Sequence, residues 1–509
     1  PTPYLDGSSI THLDEDSFAQ SSTDALMTPN LEPGESFDQV GPVALGMIQD
    51  MLTKPSTSTT SDKPAKPINV RALIGDQYAL VTFDSPNCRR LDRVTGFNVT
   101  VNPGGITKTF TSSPAKITGL KNGTSYTFTV SAQNAKGYSD PVTSNSIKPE
   151  STSRGSVIDA KSSVNYFASE TWRNLPTVVY ADEVSGQLKM ATYRASKWTS
   201  KTLRDGVKVG NISLCKSGSG LSEQLHIIYA DVDKKDVIHG YQVGSTWKFE
   251  IVDGNGEQVQ DYAEPTRTRT ASDVSVSNAC AVTPSGLQVF YRDETQGILL
   301  GAVKTGSGWI YEIVDGDRKT QGRTTGDVAF HLAATSLGKT VYLFYDSVIT
   351  ITASHTPTEG EVRLASRSSV FPEDWKYTTV DGPDEGVAVA GYAVSLANSG
   401  KTVGLSWLSA NGDSLPFADQ VKFATVDNLQ FPGALSASNY GRPQNPLSID
   451  GKGVIFGCQT RICKATTLST SVSLVNGATT TSSVSAIISI NKIRYSLASI
   501  DSKLTLVRI

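Results

Sequence analysis

Histidine, cysteine, serine and carboxylate side chains are where chemistry would be sought, and in this chain of 509 residues they are dispersed. The five histidines (His12, His226, His239, His331 and His355) show no His-x-His spacing, and no Cys-x-x-Cys occurs, so nothing in the spacing gathers metal ligands. There is no Gly-x-Ser-x-Gly elbow and no glycine-rich loop opening a helix, so nucleophile and phosphate sites lack their local geometry. Loop carboxylates are plentiful, yet no pair stands out as the placed acid and base of a glycosidase. The reading is a non-enzymatic chain with no catalytic residues, no metal and no cofactor. Tryptophan behaves differently. Trp198 leads to Arg-Asp205-Gly, and Trp247, Trp309 and Trp375 lead to Val-Asp-Gly at Asp253, Asp315 and Asp381.

Each of these copies follows an apolar run ending in tyrosine and aspartate: Tyr180-Ala-Asp182, Tyr229-Ala-Asp231, Tyr291-Arg-Asp293 and Tyr345-Asp346. Self-similarity with a period of tens of residues marks stacked structural units. Each unit reads as strands and turns, which predicts a β-propeller over 150–509. First strands fall near 163, 211, 273, 327, 386, 445 and 484, giving seven blades, or six if 386–440 is an insertion. The tryptophan tail fades after the fourth copy, surviving as Val475-Asn476-Gly477. In this setting Trp198, Trp247, Trp309 and Trp375 pack blade on blade, and Asp205, Asp253, Asp315 and Asp381 shape the exit turns.

After position 484 there is room for three strands (484–490, 493–499 and 503–509) and no fourth. A blade one strand short would leave an unpaired edge. The segment Ser156-Val-Ile-Asp-Ala160 is β-prone and lies just ahead of the first blade, so it is expected to supply the missing outer strand and close the ring.

Residues 1–53 hold nine acidic residues and no lysine or arginine. With few apolar side chains, this arm (1–54) cannot offset its own ordering entropy. The exception is 41–54, where Val43, Leu45, Met47, Ile48, Met51 and Leu52 fit one face of a short helix after Gly41-Pro42. Residues 55–67 read as a Pro/Ser/Thr linker. Residues 68–148 carry alternating apolar runs separated by Gly, Pro and Asn turns, as in a small antiparallel sandwich. The fold class is therefore all-β: a sandwich and a seven-bladed propeller behind an irregular arm.

The stretch Ile117-Thr-Gly-Leu120 through Tyr126-Thr-Phe128-Thr-Val130 to Gly137-Tyr-Ser139 closely resembles the second half of a fibronectin type III domain. That resemblance implies that Leu120 packs in the core and that Tyr126, six residues on, forms a corner tying two strands. Phe83 stands where that family has an early-strand tryptophan. No Arg-Gly-Asp tripeptide is present, so integrin binding is not implied. The repeats resemble, more loosely, lectin-like and sialidase-like propellers. Sialidases carry Ser-x-Asp-x-Gly-x-Thr-Trp turns, from which Gly244-Ser-Thr-Trp247 and Gly306-Ser-Gly-Trp309 depart. Fucose-binding propellers hold sugars between adjacent blades with an arginine, a glutamate and aromatic faces, a trio the sequence does not supply residue by residue. Trp172 and Trp407 fall outside the repeat pattern, so packing symmetry does not require them, and they become the ligand-binding candidates. The basic loops 257–270 (Arg267, Arg269) and 318–323 read as solvated.

Charged residues are 19% of the chain and the net charge is −3, so no global field marks a nucleic-acid binder. No apolar run is long enough to span a bilayer. The five cysteines allow two pairs, Cys458 with Cys463 and Cys215 with Cys280, beside Cys88. Disulfides would suit an oxidising compartment, whereas buried free thiols would suit the cytoplasm, and a start at Pro1 fits either. The sequence thus favours recognition of a glycan or protein at a cell or particle surface. The alternative is a structural subunit of a filament, coat or lattice that self-assembles through residues 1–54.

Overall fold

The computed structural model describes residues 63–508 apart from short internal stretches, the longest being 85–93, 261–267, 411–419 and 430–442. The acidic arm with its expected helix, Cys88, Arg267, His12 and His355 lie outside the described residues. The described part is almost entirely β. Among its residues no helix is long and apolar enough to cross a membrane.

Residues 68–147 form two antiparallel sheets. Ile68–Ile74, Tyr78–Asp84 and Ala115–Thr118 make one, and Thr107–Phe110, Gly96–Asn102, Thr127–Asn134 and two short strands make the other. Strict alternation in Thr127–Asn134 places Phe128, Val130 and Ala132 on the face packed against Val81, Phe83 and Ile117. Leu120 is in that core, and the Tyr126 hydroxyl accepts the Lys121 N–H at 3.1 Å, closing the expected corner. Phe83 fills the tryptophan position by packing against Phe97, ring centroids 4.5 Å apart.

From 156 onward the chain forms seven blades. Their first strands are Phe167–Trp172, Val209–Ser217, Asn278–Thr283, Val328–Leu337, Val389–Asn398, Pro443–Ile449 and Val484–Ile490. Each of these packs beside the next, and the seventh returns to the first, so the sheets surround a common axis. Within a blade the four strands follow one another antiparallel, as in Phe167–Trp172, Leu175–Asp182, Gln187–Arg194 and Lys197–Asp205. The fifth blade has three strands among the described residues, and a single parallel pair, Gly360 with Val389, joins it to the fourth. Val475-Asn476-Gly477 lies inside the strand Val472–Thr479, not in a turn. The loop 257–270 contains a small hairpin, Gln258–Gln260 with Thr268–Thr270.

The last blade is completed from the other end of the repeat region. Thr505 pairs with Val157 and Leu506 with Ser156, and the Ile158 N–H donates to the Leu504 carbonyl at 2.8 Å. Behind this strand, Val164, Phe167 and Tyr180 of the first blade pack against Ile488, Leu497, Leu504 and Leu506 of the seventh. An Ile158→Pro substitution removes that donor and leaves a carbonyl unmatched, which should cost about 1–3 kcal/mol in chemical unfolding. An unchanged unfolding midpoint would show that the ring does not depend on this strand.

Candidate functional site

The repeated residues meet at the seams between blades. Tyr291 of blade 3 donates its hydroxyl to Asp253 at the end of blade 2 (2.6 Å), and Tyr345 of blade 4 donates to Asp315 of blade 3 (2.7 Å). At the next seam Trp407 takes the tyrosine's place, its indole N–H donating to Asp381 at 2.7 Å. At the closing seam Tyr180 donates to Asp159, which follows the borrowed strand where other blades have Val-Asp. One geometry thus recurs at four seams: an aromatic donor on the second strand reaches the terminal aspartate of the preceding blade. In three seams the residue directly across from the donor is a cation near the same carboxylate. Lys189 lies opposite Tyr180, Arg363 opposite Tyr345 and Lys422 opposite Trp407. They reach Asp159, Asp315 and Asp381 at 3.2, 3.2 and 2.8 Å.

The Asp-Gly pair follows from this geometry. Asp253 Oδ1 accepts the Gly254 N–H and Asp315 Oδ1 the Gly316 N–H, both at 2.8 Å. Both glycines have positive φ, and a Cβ on Gly254 would fall 2.9 Å from the Asp236 Cα. The electrostatics differ between seams. Burial alone would raise the Asp159 carboxyl, but hydrogen bonds from Tyr180, Ser162, the Lys161 N–H and Lys189 hold it below the ordinary range. At Asp315 burial prevails over Arg363 and the carboxyl is pushed up. Burial beside Asp315 raises the Tyr345 hydroxyl well above its usual value.

The tryptophans of the fourth strands bridge backwards across the same seams. Trp247 meets Trp172 of blade 1 (6.1 Å), Trp309 meets His239 of blade 2 (5.6 Å) and Trp375 meets Phe290 of blade 3 (5.8 Å), all edge to face. Trp198 packs on Tyr193 and into the cluster shared with blade 7. Cys215 and Cys280, on the first strands of blades 2 and 3, are disulfide-bonded, as are Cys458 and Cys463 within blade 6.

Two expectations need correction. Trp407 is fully buried with its N–H bound to Asp381, so it offers no face to a ligand. It lies outside the tyrosine pattern because an indole performs the same donor role. Trp172 is also buried, 8% exposed, with its N–H donated to the Glu223 carbonyl at 2.9 Å. Asp205 does not join the seam. It is exposed and bound by Gln187 Nε2, while the preceding Arg204 donates to Tyr229, reversing the polarity found elsewhere. The residue that sequence reasoning missed is Asp159, although Val-Ile-Asp before blade 1 is a truncated form of the Ile-Val-Asp tail.

The polar cluster beside Trp172 is the candidate contact site. The turn Trp172-Arg173-Asn174-Leu175 has positive φ at both central residues, as a two-residue hairpin requires. It faces the Gly218–Glu223 turn of blade 2. The Arg173 guanidinium lies 4.5 Å from the Trp172 ring, and its backbone N–H donates to Glu223 Oε2 at 2.6 Å. Lys216 stands 3.4 Å from both Glu170 and Glu223 and donates to the Thr171 carbonyl. Lys216 and Glu170 are about one-third exposed, and Leu221 on the turn is 90% exposed. An arginine, two glutamates, a lysine and an aromatic support therefore meet between adjacent blades.

On the opposite face of the same hairpin lies a hydrogen-bonded chain that linear spacing did not reveal. Ser217 Oγ is 2.9 Å from His226 Nε2, His226 Nδ1 is 3.0 Å from His239 Nε2, and His239 Nδ1 is 2.9 Å from Glu250. The two histidines are thirteen residues apart in sequence and meet because the second and third strands of blade 2 are adjacent. Burial, with His239 alongside, lowers His226 to about 4.

Replacing Tyr345 by Phe should cost about 1–3 kcal/mol, because buried Asp315 loses a donor. Tyr229→Phe should cost less than about 1 kcal/mol, since half-buried Arg204 can turn to water. Denaturant unfolding of the two variants measures the difference, and equal losses would remove the seam from the stability argument.

No curated protein matches the chain. Among solved structures it is similar to YCF48 from Cyanidioschyzon merolae (11% identity over 70% of this chain and 99% of that one, TM-score 0.39). It is also similar to the fucose-specific lectin from Aleuria aurantia (14% identity, 65% of this chain and 90% of the other, TM-score 0.33). A third is an auxiliary nutrient binding protein from Bacteroides ovatus (8% identity, 88% of this chain and all of that one, TM-score 0.35). Residues 63–146 match the family model of the fibronectin type III domain, and this part of the chain is such a domain.

Proposed function

We propose that the chain is a non-catalytic recognition protein whose propeller binds a glycan or protein partner at a cell or particle surface. The observation that carries this reading is the Arg173, Lys216, Glu170 and Glu223 cluster on Trp172 at the junction of blades 1 and 2. Its charged groups are held in place by a buried aromatic and by backbone bonds, so little side-chain freedom is left to lose on binding. Paired donors and acceptors braced on a buried aromatic suit hydroxyl-rich or peptide ligands. The fibronectin type III domain would space the disc from whatever carries it, and two disulfides suit an oxidising setting.

A glycan array probed with the full chain tests this. The expected result is a saturable signal that Arg173→Ala weakens by about tenfold or more. A signal that the variant reproduces would place the contact elsewhere on the disc. An array without saturable binding leaves a protein ligand, to be sought by cross-linking at Lys216. The assembly alternative rests on the composition of residues 1–54. It would be favoured by concentration-dependent polymers that vanish when residues 1–60 are deleted.

A further inference from the structure

The Ser217 to Glu250 chain permits one arrangement of protons when both imidazoles are neutral. The Glu250 carboxylate accepts only, so His239 must present Nδ1–H to it and Nε2 as a bare acceptor. His226 then donates from Nδ1 and accepts at Nε2, and the Ser217 hydroxyl must donate. One added proton reverses the far end wherever it settles. Placed on His226, His239 or Glu250, it leaves His226 Nε2 carrying hydrogen, and Ser217 becomes the acceptor. Every route therefore ends in the same change at Ser217.

Ser217 and Gln224 are the last pair of the hairpin before the Gly218–Glu223 turn. That turn is tightly built. Gly218 has positive φ, and Glu223 at its end takes the Trp172 indole, the Arg173 N–H and Lys216. The groups facing the imidazoles come from several strands. Cys215 lies opposite His226 and is bonded to Cys280. Tyr241 stacks on His239 (5.0 Å), Trp309 of blade 3 meets it edge-on, and Lys304 of blade 3 lies 2.8 Å from Glu250. Lys304 holds Glu250 ionised, its influence and that of His239 outweighing burial.

We propose that this chain is an acid-responsive latch: uptake of one proton reverses the Ser217 hydrogen bond and loosens the Gly218–Glu223 turn, and with it the contact cluster between blades 1 and 2. The link to ligand release rests on the recognition reading above; the loosening itself does not. Burial keeps both imidazoles neutral at neutral pH and disfavours their protonation in the folded protein. Unfolded histidines charge first, so the stability these groups lend is complete above about pH 6.5. It falls as pH drops through the His226 value of about 4. A base with so low a proton affinity activates a serine poorly, so the chain is read as a sensor and not as the support of a nucleophile.

Hydrogen exchange of the full chain at pH 7.5 and pH 3.5, on either side of the His226 value, corrected for the intrinsic rate, tests the latch without any ligand. Amides of 218–224 should lose protection by roughly three- to tenfold at the lower pH, the equilibrium equivalent of one net hydrogen bond. The matching turn of blade 5 (399–402) should not change. In Ser217→Ala, which has no hydroxyl to reverse, the pH effect should disappear while the Cys215–Cys280 bond persists by non-reducing mass analysis. Equal protection at both pH values, an effect retained in the alanine variant, or an equal change at 399–402 would each overturn the proposal. If exchange behaves as expected while neither the array nor cross-linking at Lys216 yields a ligand, the recognition reading fails and the latch stands.

Discussion

A sheet with two apolar faces must be covered on both sides, and a set of such sheets can cover one another only if the last meets the first. In this chain that condition is met by a strand of two residues. Ser156 and Val157 pair with the end of blade 7, and Asp159 just beyond them sits beneath Tyr180 of blade 1. Chain segments more than 340 residues apart in sequence are thereby joined within one hydrogen-bonded sheet. Lys503 and Ser499 complete the closure by donating to the Ser162 and Val164 carbonyls. Without it, blades 1 and 7 would each expose an apolar face, and blade 7 an open edge.

The seams place carboxylates deep in the protein, where charge is costly unless donors surround it. Asp315 and Asp381 are fully buried, and each is met by an aromatic donor and a cation from the next blade. The aspartate binds its own turn through one oxygen at Asp315 and its neighbour through the other, so turn geometry and blade spacing are set by one side chain. This explains why Trp407 can replace a tyrosine. The seam requires an N–H or O–H at a fixed reach on a flat apolar body, and either ring supplies it. Disulfide Cys215–Cys280 ties the seam between blades 2 and 3 covalently as well.

Much of this was legible because the constraints repeat. Trp247, Trp309 and Trp375 keep one spacing to Asp-Gly because each bridges to the preceding blade, and the shortage of a strand after 484 pointed directly at 156–160. Pairings across strands were less legible. His226 and His239 look scattered in the linear sequence, and only antiparallel register brings their rings together. The same holds for Lys189, Arg363 and Lys422, whose role depends on the residue opposite. Trp172 and Trp407 misled because departure from a repeat was taken as freedom from packing. A large indole that breaks a pattern still has to be housed, and here the seams house both.

The junction of blades 1 and 2 departs from the seams on either side of it. At one end Asp205 leaves the seam and Arg204 inverts the hydrogen bond to Tyr229; at the other, Trp172 meets Trp247 and an ion cluster forms above them. Its two flanking seams, between blades 7 and 1 and between blades 2 and 3, keep an aspartate acceptor. A seam that breaks with both of its neighbours is a place where function can displace packing. The hairpin carrying Lys216 on one face carries Ser217 and His226 on the other. Changes in the protonation of blade 2 therefore reach this junction through a single turn, with no second pathway required.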